Sequence, residues 1–99
     1  MWVSPAEVEE VFMGHPAVRE VAVVGKEDEH GLMHPVACVV LRADILTSPA
    51  LTEELQRFAQ SRLPTYKNPR RIEFMDELPR TATGKVQRFK LRGKEKTGK

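Results

Sequence analysis

The stretch "VREVAVVGKEDEHGLMHPVACVVL", residues 18–41, decides the fold. Two runs rich in β-branched residues, 18–24 and 36–41, flank a polar stretch over 26–35, and Gly25 reads as the stop of the first run. The pattern predicts two antiparallel strands joined across a turn. Upstream, Ser4 stands at a helix-cap position, Pro5 suits the first helical residue, and Glu7 completes an S-x-x-E capping box. Val8, Val11 and Phe12 then fall on one face, and Gly14 and Pro16 end the helix, with His15 expected to shield its last carbonyls. Downstream, Ser48-Pro49 repeats the helix-start chemistry. Leu51, Leu55, Phe58 and Ala59 line a second helix that is expected to end at Arg62 or Leu63, before Pro64. "RIEFM", residues 71–75, alternates polar and apolar as a half-buried strand does. The order α-β-β-α-β predicts a small α+β domain: a three-stranded sheet containing an antiparallel pair, flanked by helices, then a C-terminal lysine loop.

The bulk numbers agree with one domain. A chain of 99 residues buries roughly 60–65% of its unfolded surface, enough for a single modest core. No apolar run approaches the roughly 20 residues a bilayer span needs, and "MWVSPAEVEE" is too acidic for a secretory signal. The lone Cys38 excludes an internal disulfide and fits a cytoplasmic location. Charge is unevenly spread. Residues 1–60 carry ten acids against four Lys/Arg, and residues 61–99 carry twelve Lys/Arg against four acids. A basic half points to an anionic partner. The domain is expected over residues 1–92, and 93–99 are expected to form a basic, disordered tail.

Few residues carry chemistry. His30 and His34, beside Asp28, have a metal-like spacing, but Gly31 and Pro35 break any helix and no third ligand is in view, so no metal site is expected. "LPRTATGKVQR", residues 78–88, places Lys85 behind a run of small residues. It is not a Walker phosphate loop: Pro79 occupies the first glycine position, and Val86 stands where the magnesium-binding hydroxyl belongs. The plain reading is an exposed hairpin lysine. Against it stands "YKNPRR", residues 66–71, just upstream. Tyr66 beside Lys67, Arg70 and Arg71 offers a stacking ring and phosphate-pairing cations, as an adenine nucleotide needs. Tyr66 serves equally as an aromatic at the core edge.

Four motifs now stand in order: the S-P-x-E-V-E opening, H-P-A-V at 15–18, Y-K-x-P at 66–69 and L-P-R-T-x-T-G-K at 78–85. Together they resemble the C-terminal domain of adenylate-forming enzymes, the acyl- and aryl-CoA ligases, peptide adenylation domains and firefly luciferases. Within that family the chain is most similar to benzoate-type CoA ligases. The resemblance implies a carboxylic acid, possibly aromatic, activated by ATP to an acyl-adenylate and then passed to the thiol of CoA. It implies that Lys85 bridges carboxylate and α-phosphate, with Thr83 and Gly84 shaping its loop. It implies that the domain then rotates, so that Tyr66 stacks on the CoA adenine while Arg70 and Lys67 pair with its phosphates. Asn68 departs from the charged residue many relatives carry there. Magnesium is expected on the N-terminal domain, which lies outside this chain along with the hinge. That domain is the expected partner, and the chain alone is expected to be inactive.

Besides a plain interaction domain, two other readings remain open. One keeps the family and changes the acceptor or acid: a domain that loads a carrier protein, or a fatty acyl ligase. The other is a small basic RNA-binding module, for which Tyr66, Phe74 and Phe89 would have to stack bases.

Overall fold

A computed structural model describes residues 4–91 and the backbone of Gly93–Lys94. The expected hairpin is its centre. Strand β1 (Val18–Glu27) pairs antiparallel with β2 (Met33–Leu41), from Val18 opposite Leu41 to Glu27 opposite Met33. Strand β3 (Arg71–Phe74) adds parallel to β2, with Cys38 opposite Glu73. A two-residue strand β4 (Gly93–Lys94) adds parallel to β1, giving the order β3-β2-β1-β4. The expected tail thus begins as an edge segment, and residues 95–99 lie outside the described residues.

Gly25 does not stop β1. It pairs with Pro35, and the ladder runs on to Glu27. A Cβ at this position would meet Met33 Cε at 2.9 Å, so the missing side chain accommodates a close neighbour within the strand rather than ending it. The connection contracts to residues 28–32, where Asp28 N donates to Leu32 O at 2.8 Å and Gly31 N donates to Asp28 O at 3.0 Å.

The sheet carries two apolar layers. Helix α1 (Pro5–Met13) and helix α2 (Pro49–Gln60) cover one face. There Val8, Phe12, Leu55 and Ala59 pack with Val18, Val23, Ala37 and Val39. On the other face Ala22, Val24, Val36, Cys38 and Val40 are covered by Leu78 and Leu91, with Val86 against them. A bulge between Val18 and Glu20 separates the two sets. It lets Val18 enter the helix-side core while Glu20 lies opposite Val40, a residue of the second layer.

The helix caps differ from one another. Ser48 accepts from Leu51 N at 3.1 Å, as its position predicts. Ser4 makes no side-chain cap bond, and the Glu7 carboxylate that would complete the box accepts instead from Lys67 Nζ at 2.7 Å, so the expected capping box does not form. Nor does His15 shield helix carbonyls with its ring. The ring is 4% exposed, accepts at Nδ1 from Ala17 N at 3.0 Å and meets Glu54 at Nε2 at 2.6 Å. The Ala17 N–H therefore places the ring proton on Nε2.

Candidate functional site

Residues 80–86 form a small hairpin over the second apolar layer, closed by an antiparallel bridge between Arg80 and Val86. Its tip is a hydrogen-bonded turn rather than a loose run of small residues. Gly84 N donates to Thr81 O at 2.9 Å, and Thr81 N donates to Lys85 O at 2.8 Å. Thr81 Oγ1 accepts from Lys85 N at 3.1 Å and lies 3.0 Å from Thr83 Oγ1. Gly84 adopts φ +88°, in the left-handed region, with nothing within 4 Å of where its Cβ would stand. Backbone conformation, not space, makes glycine the residue here.

Lys85 is exposed, and its ammonium has no hydrogen-bond or ion-pair partner among the described residues. Its peptide groups are held while its four-carbon stem is free. An ammonium on such a stem is a compact point charge with three rotatable donors. Arg80 adds a further hold that sequence reading missed, donating from Nη1 to Gly84 O at 2.8 Å. Its signal was present, since it stands inside the quoted L-P-R-T motif and faces Gly84 across the turn.

The other candidates sit elsewhere. Tyr66 and Lys67 lie on a 3₁₀ turn (Thr65–Lys67), and the Tyr66 ring is 51% exposed. Lys67 Nζ stands 5.8 Å from the ring centroid and bonds Glu7 of α1. That hydrogen bond, with the Glu7 charge, raises the Lys67 pKa above its ordinary 10.5. Lys67 is therefore committed to the helix side. Asn68 Nδ2 donates to Pro64 O at 3.1 Å, bracing the turn. Arg70 is exposed, and its amide donates to Pro35 O at 2.8 Å at the start of β3. A cavity of about 140 Å³ opens beside it, lined in part by Asn68, Gln56 and Gln60. The structure thus gathers Thr83, Gly84 and Lys85 on one layer, and ties Tyr66, Lys67 and Asn68 to the helix side. It does not bring the two groups together.

The histidine turn is structural. Asp28 Oδ1 accepts from His30 N at 2.8 Å and Leu32 N at 3.0 Å, and Oδ2 meets His34 Nε2 at 2.7 Å. The Leu32 amide first, then His34 and the His30 amide, hold the Asp28 carboxyl down at about 2. Among the described residues no group of three or more His, Cys, Asp or Glu is placed to hold a metal. A larger hollow of about 520 Å³, bordered by Arg19, Arg42, Leu46 and Asp76, contains none of the candidate residues.

Comparison with known proteins bears on these positions. The family model for the AMP-binding enzyme C-terminal domain matches residues 7–85. The chain is 51% identical, over 92 residues, to a benzoate–CoA ligase of Thauera aromatica; the match takes in 93% of this chain and 18% of that one. A crystal structure of a benzoate CoA ligase from Burkholderia xenovorans superposes with a TM-score of 0.87 at 54% identity, covering 92% of this chain and 18% of that one. An anthranilate CoA ligase solved in complex with anthranoyl-AMP gives a TM-score of 0.87 at 47% identity, covering 92% and 18%. The chain therefore spans less than a fifth of the length of these relatives.

Proposed function

The chain belongs to the AMP-binding enzyme C-terminal domain family, and from that footing we propose that it serves as the mobile C-terminal domain of an AMP-forming acid–thiol ligase of the benzoate–CoA ligase kind. In the proposed reaction the acid's carboxylate attacks the α-phosphorus of ATP, forming an acyl-adenylate and releasing pyrophosphate. The CoA thiol then attacks the acyl carbonyl and AMP leaves. The first step brings two anions together. A cation that touches both lowers their repulsion and stabilises the charge that builds on the bridging oxygens. Lys85 supplies that cation, and Thr83 and Gly84 shape the turn that presents it.

One observation carries this reading: an exposed ammonium with no partner among the described residues stands on a residue whose own N–H and C=O, and those of Gly84 before it, are hydrogen-bonded. The position of Tyr66 on the helix side supports a second role for a second orientation. There the ring stacks on the CoA adenine, Arg70 pairs with its phosphates, and Lys67 contributes only by leaving Glu7. The acid, the adenosine and magnesium are held by the N-terminal domain, so the chain by itself is inactive. The described residues do not suit magnesium, because they bring no group of three or more carboxylates or histidines together.

The match to the family, and the half-buried Phe74 packed on the helix-side core, weigh against an RNA-binding module, which needs its aromatics on one open surface. The test is pyrophosphate exchange by the full-length enzyme. Lys85→Ala should lower its rate by roughly 10²–10³-fold, the scale of one lost transition-state charge contact. Exchange at the wild-type rate would remove Lys85 from the reaction.

A further inference from the structure

Two polar frames and one apolar seat surround the Lys85 turn, and they do different work. Thr81 takes both the N–H and the C=O of Lys85, so it fixes the internal shape of the hairpin. Leu78, Val86 and Leu91 seat the hairpin's base on the sheet by apolar contact. Arg80 links the tip of the hairpin directly to the sheet. Its Nη1 donates to Gly84 O at 2.8 Å, on the peptide group that leads directly into Lys85. Its Nη2 pairs with Glu20 Oε1 on β1. That carboxylate oxygen is buried and has no other partner among the described residues. Glu20 shares this face of β1 with Ala22 and Val24 by regular alternation.

We propose that Arg80, anchored on Glu20, is a positioning residue that fixes the tip of the hairpin and so the point from which the Lys85 ammonium is delivered. The proposal rests on Lys85 as the adenylating cation. A planar guanidinium makes two directed bonds at a set angle, which suits a strut between a carboxylate and a carbonyl. The rate of a step that depends on one charge falls steeply when that charge is misplaced by an ångström. Nothing in the thioester step needs this strut, because Lys85 has withdrawn by then.

The test uses the full-length enzyme and two variants, with Lys85→Ala run in parallel. Arg80→Gln should lower kcat for pyrophosphate exchange by about 10–100-fold, with KM for ATP and thioester formation from supplied acyl-adenylate near wild type. The second variant combines Glu20→Arg with Arg80→Glu. It restores the ion pair in reverse, but a carboxylate at position 80 cannot donate to Gly84 O. Its thermal midpoint should return toward wild type while exchange stays slow. Wild-type exchange in Arg80→Gln would overturn the proposal. So would equal loss in both half-reactions, or recovery of exchange in the reversed pair. If Arg80→Gln does not fold, the reversed pair decides alone. If Lys85→Ala leaves exchange unchanged, the reading of Lys85 fails and the proposal with it. If Lys85→Ala slows exchange and Arg80→Gln does not, only the proposal fails.

Discussion

Gly84 and Asp28 show how single residues impose local order by opposite means. Gly84 supplies a left-handed backbone that other residues adopt at a penalty of roughly 1–2 kcal/mol, and its turn then aims the next side chain outward. Asp28 supplies acceptors. It closes the β1–β2 connection by taking two amides and His34, and those bonds favour its charged form. Its carboxyl is held at about 2 against an ordinary 3.8. A lowered carboxyl pKa stabilises the fold fully above the unfolded value and is lost as pH falls through the folded one. The window therefore runs from about 4 down to about 2. A carbon-13 titration of the Asp28 carboxyl should show its midpoint near the lower end. A midpoint near the ordinary carboxylate value would show that the turn does not hold the charge.

Among the elements, the two helices begin with the same Ser-Pro pair and part company in their caps. Ser48 holds the Leu51 amide, so Ser48→Ala should lose about 1 kcal/mol in chemical denaturation. Ser4 makes no such bond, and Ser4→Ala should change stability by less than about 0.5 kcal/mol. Equal losses would mean that a cap forms at Ser4 in solution. The two helices and strands β1, β2 and β3 were legible in the sequence because period and β-branching are local signals, whereas the edge strand β4 and the run of β1 past Gly25 were not. What escaped were choices made between distant residues. Glu7 had two suitors, its own helix end and Lys67, sixty residues away, and the ion pair prevailed. His15 faces Glu54 because α2 packs beside it. Glu73 reads as the polar side of a half-buried strand, yet it is 8% exposed. The candidate site divides the same way: Lys85, Thr83 and Gly84 stand in one stretch of sequence, whereas the contact of Arg80 with Glu20 joins residues that nothing local connects.

In the whole molecule, the hairpin face of the sheet is built around a buried charge pair as well as apolar side chains. Lys26 Nζ meets Glu73 Oε1 at 2.8 Å, and both residues are nearly enclosed. Such a pair is costly to break from one side. Glu73→Ala leaves an ammonium without its partner and should lose about 3–5 kcal/mol, whereas joint replacement by Met and Leu should be close to neutral. Urea denaturation of the three proteins checks this, and a mild single variant would show that water reaches Lys26. For a domain of ordinary stability, about 5–15 kcal/mol, the loss would be large. This stiff sheet separates the lysine hairpin on one layer from the Tyr66 turn on the helix side, which suits a lobe that presents different surfaces to a larger partner in turn. The most direct measurement compares the two half-reactions in a single Lys85→Ala full-length enzyme. Adenylation, followed as pyrophosphate exchange, should fall by roughly 10²–10³-fold, while thioester formation from supplied acyl-adenylate stays near wild type. Equal loss in both, or loss in neither, would contradict the delivery of one charge to one step.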